Sequence, residues 1–344
     1  MSRDVWTQAV ARPVRLLGAL TTAILLAGCG DTSPDSGPIA LQVGTVNAPD
    51  SLIAITAEEF ARRSNDRLAG RAEVTVFGSS QLGSDELMLQ KLRLGTLDFS
   101  VPSTVMSSAV PEFGLFEMPY LIQDREHMRR IGEEIFWPAI APLAEAQGYK
   151  VLALWENGFR QITNNVRPIS TPADLGGIKL RIPSGDWRVR LFQVFGANPT
   201  PMPLSEVFVA LQTGVIDGQE NPLAQIASLR FQEVQEYLSL TSHVYSPSYL
   251  LAGLDRWNRL PEDVRRVIEE TAREIQDFAY AEAERMDAEL LDALRASGIR
   301  INQADRRQFL EASRPIYEEF GRLVADGDRM IETAIALGGQ PDGL

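Results

Sequence analysis

The chain has little of the chemistry on which metal sites and many enzymes depend. Its 344 residues include one cysteine and two histidines. A single cysteine excludes an intrachain disulfide, and two histidines far apart in sequence give no metal-binding pattern. No nucleophile elbow, zinc-binding helix motif or glycine-rich phosphate loop is present. We therefore predict no metal, no cofactor and no enzymatic activity, and we expect His127 to be solvated and His243 to be structural.

Positive charge is also in short supply. The formal net charge is −13, with 33 basic against 46 acidic residues. This balance argues against nucleic acid as a partner. It gives no general attraction for anionic ligands either, so any anion site must be built from local arginines.

Residues 1–28 have the pattern of a bacterial lipoprotein signal peptide. Three arginines precede an apolar stretch that is too short to span a bilayer. The stretch ends in the letters LAGC, a lipobox in which Cys29 would carry a lipid anchor. An ordinary signal peptide, or a chance run of small residues with a buried cysteine, is the alternative. Residues 29–38 are small and polar and suit a flexible tether.

The rest of the chain reads as two α/β regions in succession. Residues 40–101 alternate strand, helix, strand, helix and strand, which predicts a parallel sheet with helices on both faces. A second region follows, so we predict a two-lobed α/β fold with a cleft between the lobes. A helix over 261–296 would be about 50 Å long and could brace both lobes. The predicted lobes are 39–157 with 247–286, and 158–246 with 287–340.

Arg181 is the strongest candidate for ligand contact. It lies in a short strand between Leu180 and Ile182, and alternation points it away from both. If those neighbours face a core, the arginine faces an open edge or a cleft. A guanidinium holds a carboxylate through two parallel hydrogen bonds, which fixes its orientation. The alternative is a structural salt bridge to a nearby acid.

Two further residues could complete such a site. Arg160 lies near the crossover between the lobes and could contact a carboxylate or hydroxyl, or form a hinge ion pair. Asn221 lies in a polar turn and offers both a donor and an acceptor, although it could serve the turn alone. We expect Asp217 and Glu220 to be partners of arginines.

Weaker candidates surround these three. Trp187 opens a helix after Arg181 and could stack on a ligand or pack in the core. Asp85 begins a helix and could be only its cap. Ser103 and Thr104 follow a strand, where ligand residues usually lie in open α/β sheets.

Seven short motifs in this order resemble the solute-binding receptors of TRAP transporters, the DctP-like family. The resemblance extends from about residue 40 to 335. The motifs are 79–83 (SSQLG), 95–99 (GTLDF), 157–161 (NGFRQ), 180–183 (LRIP), 196–201 (GANPTP), 205–207 (SEV) and 217–222 (DGQENP).

This resemblance implies a function and a set of contacts. It implies two lobes closing around a small organic acid, which is delivered to membrane permease subunits driven by an ion gradient. The family's carboxylate-binding arginine falls on Arg181, its second ligand arginine on Arg160 and its ligand asparagine on Asn221. Two acidic contacts of sialic-acid-binding members fall on Asp85 and Ser103. The serine in place of an acid argues against sialic acid.

The sequence thus predicts a periplasmic, monomeric binding protein that touches the membrane only through its lipid. The ligand carboxylate would dock on Arg181, and lobe closure would desolvate the pair. Candidate ligands are a uronate, a dicarboxylate or another hydroxy or aromatic acid. A sensory receptor for such an acid is an alternative, and an extracytoplasmic enzyme is a third, which the missing catalytic groups oppose.

Overall fold

The structure is a computed structural model that describes residues 37–338. The predicted signal peptide, Cys29 and the tether up to residue 36 lie outside these residues. Within 37–338, no helix combines the length and the apolar character needed to cross a bilayer.

The described residues contain ten strands in one mixed sheet. The strands are β1 Ile39–Gly44, β2 Ala72–Phe77, β3 Phe99–Ser100, β4 Tyr149–Asn164, β5 Lys179–Ile182, β6 Asn198–Pro201, β7 Gly218–Pro222, β8 Tyr237–Leu240, β9 Tyr245–Gly253 and β10 Arg300–Gln303. The α-helices of this range are α1 Leu52–Leu68, α2 Asp85–Leu94, α3 Met106–Ala109, α4 Arg125–Ile131, α5 Asp186–Val194, α6 Val207–Gln212, α7 Leu223–Ser228, α8 Leu254–Arg259, α9 Glu262–Ala296, α10 Arg306–Leu323 and α11 Gly327–Gly338.

The sheet divides along β4. The order is β2-β1-β3-β9-β4-β7-β5-β6, with β8 and β10 beside the end of β4. Up to Phe159, β4 pairs with β9, and from Arg160 onward it pairs with β7. The two halves of the sheet form the two lobes, as predicted. A register shift between Glu156 and Gly158 marks the crossing.

The prediction of a parallel sheet holds only in part. β1 is parallel to both β2 and β3, as the β-α-β-α-β pattern requires. β9, however, is antiparallel to β3 and β4, so the first lobe contains a mixed sheet. All nine residues of β9 are buried, and such a strand has no alternation that sequence reading could detect.

The long helix was predicted correctly. α9 has 35 residues, or about 50 Å of helix. In its N-terminal half, Val264 and Ile268 share a core with Phe60 and Trp155 of the first lobe. Near its C-terminal end, Leu294 packs in a separate core of the second lobe. The helix therefore braces both halves.

The helical segment from Arg125 onward is irregular: α4 is followed by π-helical and 3-10 turns, because Pro138 and Pro142 remove backbone donors. The polar turn expected at Asn221 is instead the strand β7. Each residue of β7 is buried, so its polar side chains must find partners inside the protein.

Candidate functional site

A pocket lies between the two lobes. The first lobe lines it with the start of α2 and the loop after β3. The second lobe lines it with β5, β7 and the adjoining part of β4. Five of the six predicted ligand residues line it, namely Arg160, Arg181, Asn221, Asp85 and Ser103.

Trp187 is the sixth residue, and it lies elsewhere. It is 6% exposed, and its ring centroid is 5.2 Å from that of Phe320 on α10. It belongs to the core that the two lobes share, so of the two roles considered for it the structure shows core packing. The covering helix lies more than 100 residues along the chain, beyond any local pattern.

Arg181 projects from β5 into the pocket and is 2% exposed. Its Nε and Nη2 atoms donate to the carbonyl oxygen of Met202, at 2.9 and 2.6 Å. No carboxylate within residues 37–338 forms an ion pair with it, so the alternative of a structural salt bridge is not the arrangement seen. Burial, with the charge on Arg160, lowers the pKa of Arg181 to about 10. The group is therefore still cationic at neutral pH.

Arg160, in contrast, has a full carboxylate partner. Its Nε and Nη2 atoms donate to the Glu220 carboxylate, and Nη2 also donates to the Glu220 carbonyl at 2.7 Å. Nη2 further donates to Asn221 Oδ1 at 2.9 Å. The ion-pair alternative is therefore realised, and the arginine lines the pocket as well.

Glu220 is the centre of a buried charge network. Arg188 Nη1 donates to it at 3.0 Å, and Arg188 binds Glu117 through Nε and Nη2 at 2.9 and 2.6 Å. Although burial favours its neutral form, Arg160 and Arg188 hold the pKa of Glu220 far below the usual range. Glu220 is thus the arginine partner that was predicted. Asp217 is not, because it accepts from the backbone nitrogen of Lys179 instead.

Of the two histidines, His243 has the role that was expected and His127 does not. His243 is structural, with Nδ1 2.8 Å from Thr241 Oγ1 and Nε2 3.2 Å from Glu220. Burial lowers the pKa of His243 to about 4, so it is neutral at pH 7. His127 is not solvated: it is fully buried, with Nε2 2.7 Å from the carbonyl of Ala334 in α11. Helix α11 lies about 200 residues later, and no local pattern reveals that it covers His127.

Asn221 lies in β7 rather than in a turn. Its Nδ2 donates to Gln219 Oε1 at 2.6 Å, and its Oδ1 accepts from Arg160. It is 2% exposed. We call this side of the pocket, formed by Arg160, Arg181 and Asn221, the arginine wall.

The opposite side belongs to the first lobe, and we call it the acidic wall. Its members are polar residues at the start of α2 and after β3: Ser84, Asp85, Glu86, Ser103 and Thr104. Ser84 is the N-cap residue of α2, because its Oγ accepts a hydrogen bond from Leu87 N at 3.3 Å. Asp85 therefore does not cap the helix. Ser103 Oγ donates to Pro247 O at 2.6 Å.

Two atoms of the acidic wall are buried without a partner. Asp85 Oδ1 and Thr104 Oγ1 make no hydrogen bond within the described part of the chain. Burial and the charge of Glu86 raise the pKa of Asp85 to about 7, against the pull of Arg181. Although burial opposes it, hydrogen bonds with Ser184 and Ser84 lower the pKa of Glu86, so Glu86 is ionised.

Sequence reading missed an amide chain in the pocket. Gln225 Nε2 donates to Asn47 Oδ1 at 2.7 Å and to Asn157 Oδ1 at 2.9 Å. Asn157 Nδ2 in turn donates to Ser103 Oγ at 3.3 Å. Asn47 follows the carboxyl end of β1, a signal that could have found it. Gln225 lies on the short helix α7, which carried no such signal.

Comparison with known proteins gives consistent matches. Residues 43–323 match the family described as bacterial extracellular solute-binding protein, family 7 (DctP). The 2,3-diketo-L-gulonate-binding periplasmic protein YiaO of Escherichia coli K12 is 31% identical over 299 residues, which is 86% of this chain and 91% of YiaO.

Two solved structures share the fold. The sugar acid binding protein DctPAm of Advenella mimigardefordensis, in complex with galactonate, is 32% identical with a TM-score of 0.83. The match covers 87% of this chain and 97% of DctPAm. A TRAP periplasmic solute binding protein of Sulfurospirillum deleyianum, with bound succinate, is 30% identical with a TM-score of 0.83. That match covers 87% of this chain and 99% of the other.

Proposed function

The chain belongs to family 7 of the bacterial extracellular solute-binding proteins, the TRAP receptors, and on that premise we propose that Arg181 holds the carboxylate of a small organic acid. The family consists of binding proteins of transporters, so the expectation that the chain is not an enzyme is confirmed. Its place of action is outside the cytoplasm.

One observation carries the proposal. Arg181 is a buried guanidinium that lines the pocket, and within residues 37–338 it meets only one carbonyl oxygen. A buried cation without a counter-ion is costly, and a ligand carboxylate would remove that cost. The planar guanidinium would also orient the acid.

Arg160 and Asn221 would complete the shell from fixed positions. Both are held by the Glu220 network and by β4 and β7, so little side-chain freedom remains to be lost on binding. Binding would favour the closed lobes, and the membrane permease subunits would recognise that state.

The test is a thermal-shift screen of small organic acids on residues 38–344. We expect at least one acid to raise the melting temperature, and we expect Arg181→Ala to abolish the shift while the apo protein still folds. Arg230→Ala is the control, because that side chain is 73% exposed and does not line the pocket. Retained binding by Arg181→Ala would overturn the assignment.

Two organisational features also belong to the proposal. The lobes would be 39–157 with 247–286 and 158–246 with 287–340, which the change of partner along β4 supports. We also propose that the protein acts as a monomer.

The lipid anchor on Cys29 is proposed from the lipobox alone. The Cys29→Ser variant should move from the membrane fraction to the soluble periplasmic fraction. An unchanged membrane fraction would contradict acylation.

A further inference from the structure

We infer that the ligand is a hydroxylated acid with a single carboxylate, and not a dicarboxylate or an aromatic acid. This inference rests on the proposed function, since it assigns the single carboxylate to Arg181. The rest of the pocket would select the other functional groups of the ligand.

Positive charge on the pocket lining is limited. The only cations in the lining are Arg160 and Arg181, among the residues that the structure describes. The charge of Arg160 is already balanced by Glu220, so only Arg181 offers an unpaired positive charge to a ligand. One carboxylate satisfies it. A second carboxylate would find no cation and would lie in the same pocket as Asp85 and Glu86.

Like charges in a buried site repel strongly, since little water screens them. Glu86 is held in its ionised form by the two serines that bond to it. The acidic wall therefore excludes a second anionic group at the far end of the ligand.

The acidic wall contains buried polar atoms that lack hydrogen-bond partners. Thr104 is 6% exposed, and its Oγ1 is buried without a partner in residues 37–338, as is Asp85 Oδ1. An unsatisfied buried polar atom costs free energy that a ligand group can recover. A hydroxyl suits both atoms, because it can donate to the carboxylate and either donate to or accept from the threonine.

The neutral groups nearby serve the same kind of ligand. The amides of Asn47, Asn157 and Gln225 line the same pocket. They offer donors and acceptors without charge, as several hydroxyls along a carbon chain require.

Aromatic surface is absent from the pocket. Within the described part of the chain, no phenylalanine, tyrosine or tryptophan lines it. A ligand ring would thus find no face or edge on which to stack. A quaternary ammonium group would lack a π-face for the same reason.

The test is calorimetric titration of the protein with acids of matched length. Erythronate and gluconate carry hydroxyls, butanoate and hexanoate lack them, and succinate and adipate carry a second carboxylate. Norleucine and benzoate represent the amino and aromatic alternatives. We expect a hydroxylated acid to bind at least about 100-fold more tightly than its matched alkanoate or dicarboxylate, as two or more hydrogen bonds imply.

Two variants locate the selection. Thr104→Val should weaken the hydroxylated acid about tenfold and leave the matched alkanoate unchanged. Asp85→Asn should reduce the preference for the hydroxylated acid over the matched dicarboxylate about tenfold, because it removes one of the two acidic groups that repel a second carboxylate. Circular dichroism verifies the fold, and the preference of the wild-type protein decides the question without either variant.

The outcomes separate the two proposals. If Arg181→Ala abolishes binding but succinate, adipate, benzoate or norleucine binds best, only this inference is overturned. If the hydroxylated acid still binds to Arg181→Ala, the proposed carboxylate contact fails, and this inference fails with it. If no acid binds to the wild-type protein, both fail.

Discussion

The two walls of the pocket are built on opposite plans. In the arginine wall, strands hold Arg160 and Asn221, and Glu220 fixes them by direct hydrogen bonds. In the acidic wall, Asp85 and Thr104 lie at a helix start and in a loop, each with an unpaired buried atom. Without a ligand, the side chains of the arginine wall are already hydrogen-bonded, and only Arg181 lacks a carboxylate partner among the described residues.

On the proposed function, the arginine wall would bind the carboxylate and the acidic wall would select the rest of the ligand. The preorganised network would position the carboxylate that all organic acids share, and little side-chain entropy would be lost on binding. Groups left unpaired on the other side are satisfied only by a ligand with matching donors and acceptors.

The largest effect should come from breaking the arginine wall at its centre. Glu220→Gln removes the anion that Arg160 and Arg188 share, leaving buried cations with too few counter-ions. We expect a loss of about 3–5 kcal/mol in the free energy of unfolding, measured by urea denaturation.

The matched control is Glu236→Gln, whose ion pair with Arg300 is exposed. It should cost less than about 1 kcal/mol. Equal effects at Glu220 and Glu236 would show that the buried network does not stabilise the arginine wall.

The acidic wall should respond with the opposite sign. The folded-state pKa of Asp85 is about 7, above its ordinary value of 3.8, so ionisation opposes folding once the pH exceeds about 4. Asp85→Asn should therefore stabilise the empty protein by about 1–3 kcal/mol at pH 8. The gain should shrink as the pH falls from 7 to 4.

Urea denaturation at pH 4, 6 and 8 measures this trend. Asp66→Asn is the control, since its carboxylate is 70% exposed, and it should show a much smaller change. A destabilised Asp85→Asn protein at pH 8 would show that Asp85 is paired after all.

The smallest effect should come from the cap beneath the acidic wall. Ser84 Oγ accepts from Leu87 N and fixes the first turn of α2, which carries Asp85. Ser84→Ala should cost about 1 kcal/mol of stability and weaken ligand binding only a few-fold. Ser84→Asp should restore the cap and the stability, whereas no loss in Ser84→Ala would exclude a role for the cap.

Sequence reasoning succeeded where the structure is local. The apolar neighbours of Arg181 were enough to place it on a strand with its side chain at an open edge or a cleft, and the structure shows the strand β5 beside the pocket. The length of α9 followed from composition and periodicity alone. Its role as a brace required only that its length exceed one lobe.

The failures all involve partners distant in sequence. The polar letters of β7 indicate a turn, and only burial against Arg160 and Arg188 allows such a strand to exist. His127 was expected on the surface, but the carbonyl of Ala334 meets it in the core. Trp187 could have faced either side until Phe320 was seen to cover it.

The continuity of β4 has a mechanical consequence. This strand runs unbroken through both lobes for 16 residues, and the 35-residue α9 spans them as well. Any change in the angle between the lobes must bend a hydrogen-bonded ribbon and a helix together. Lobe closure, as proposed above, would therefore require elastic bending of both elements and not rotation about a flexible loop.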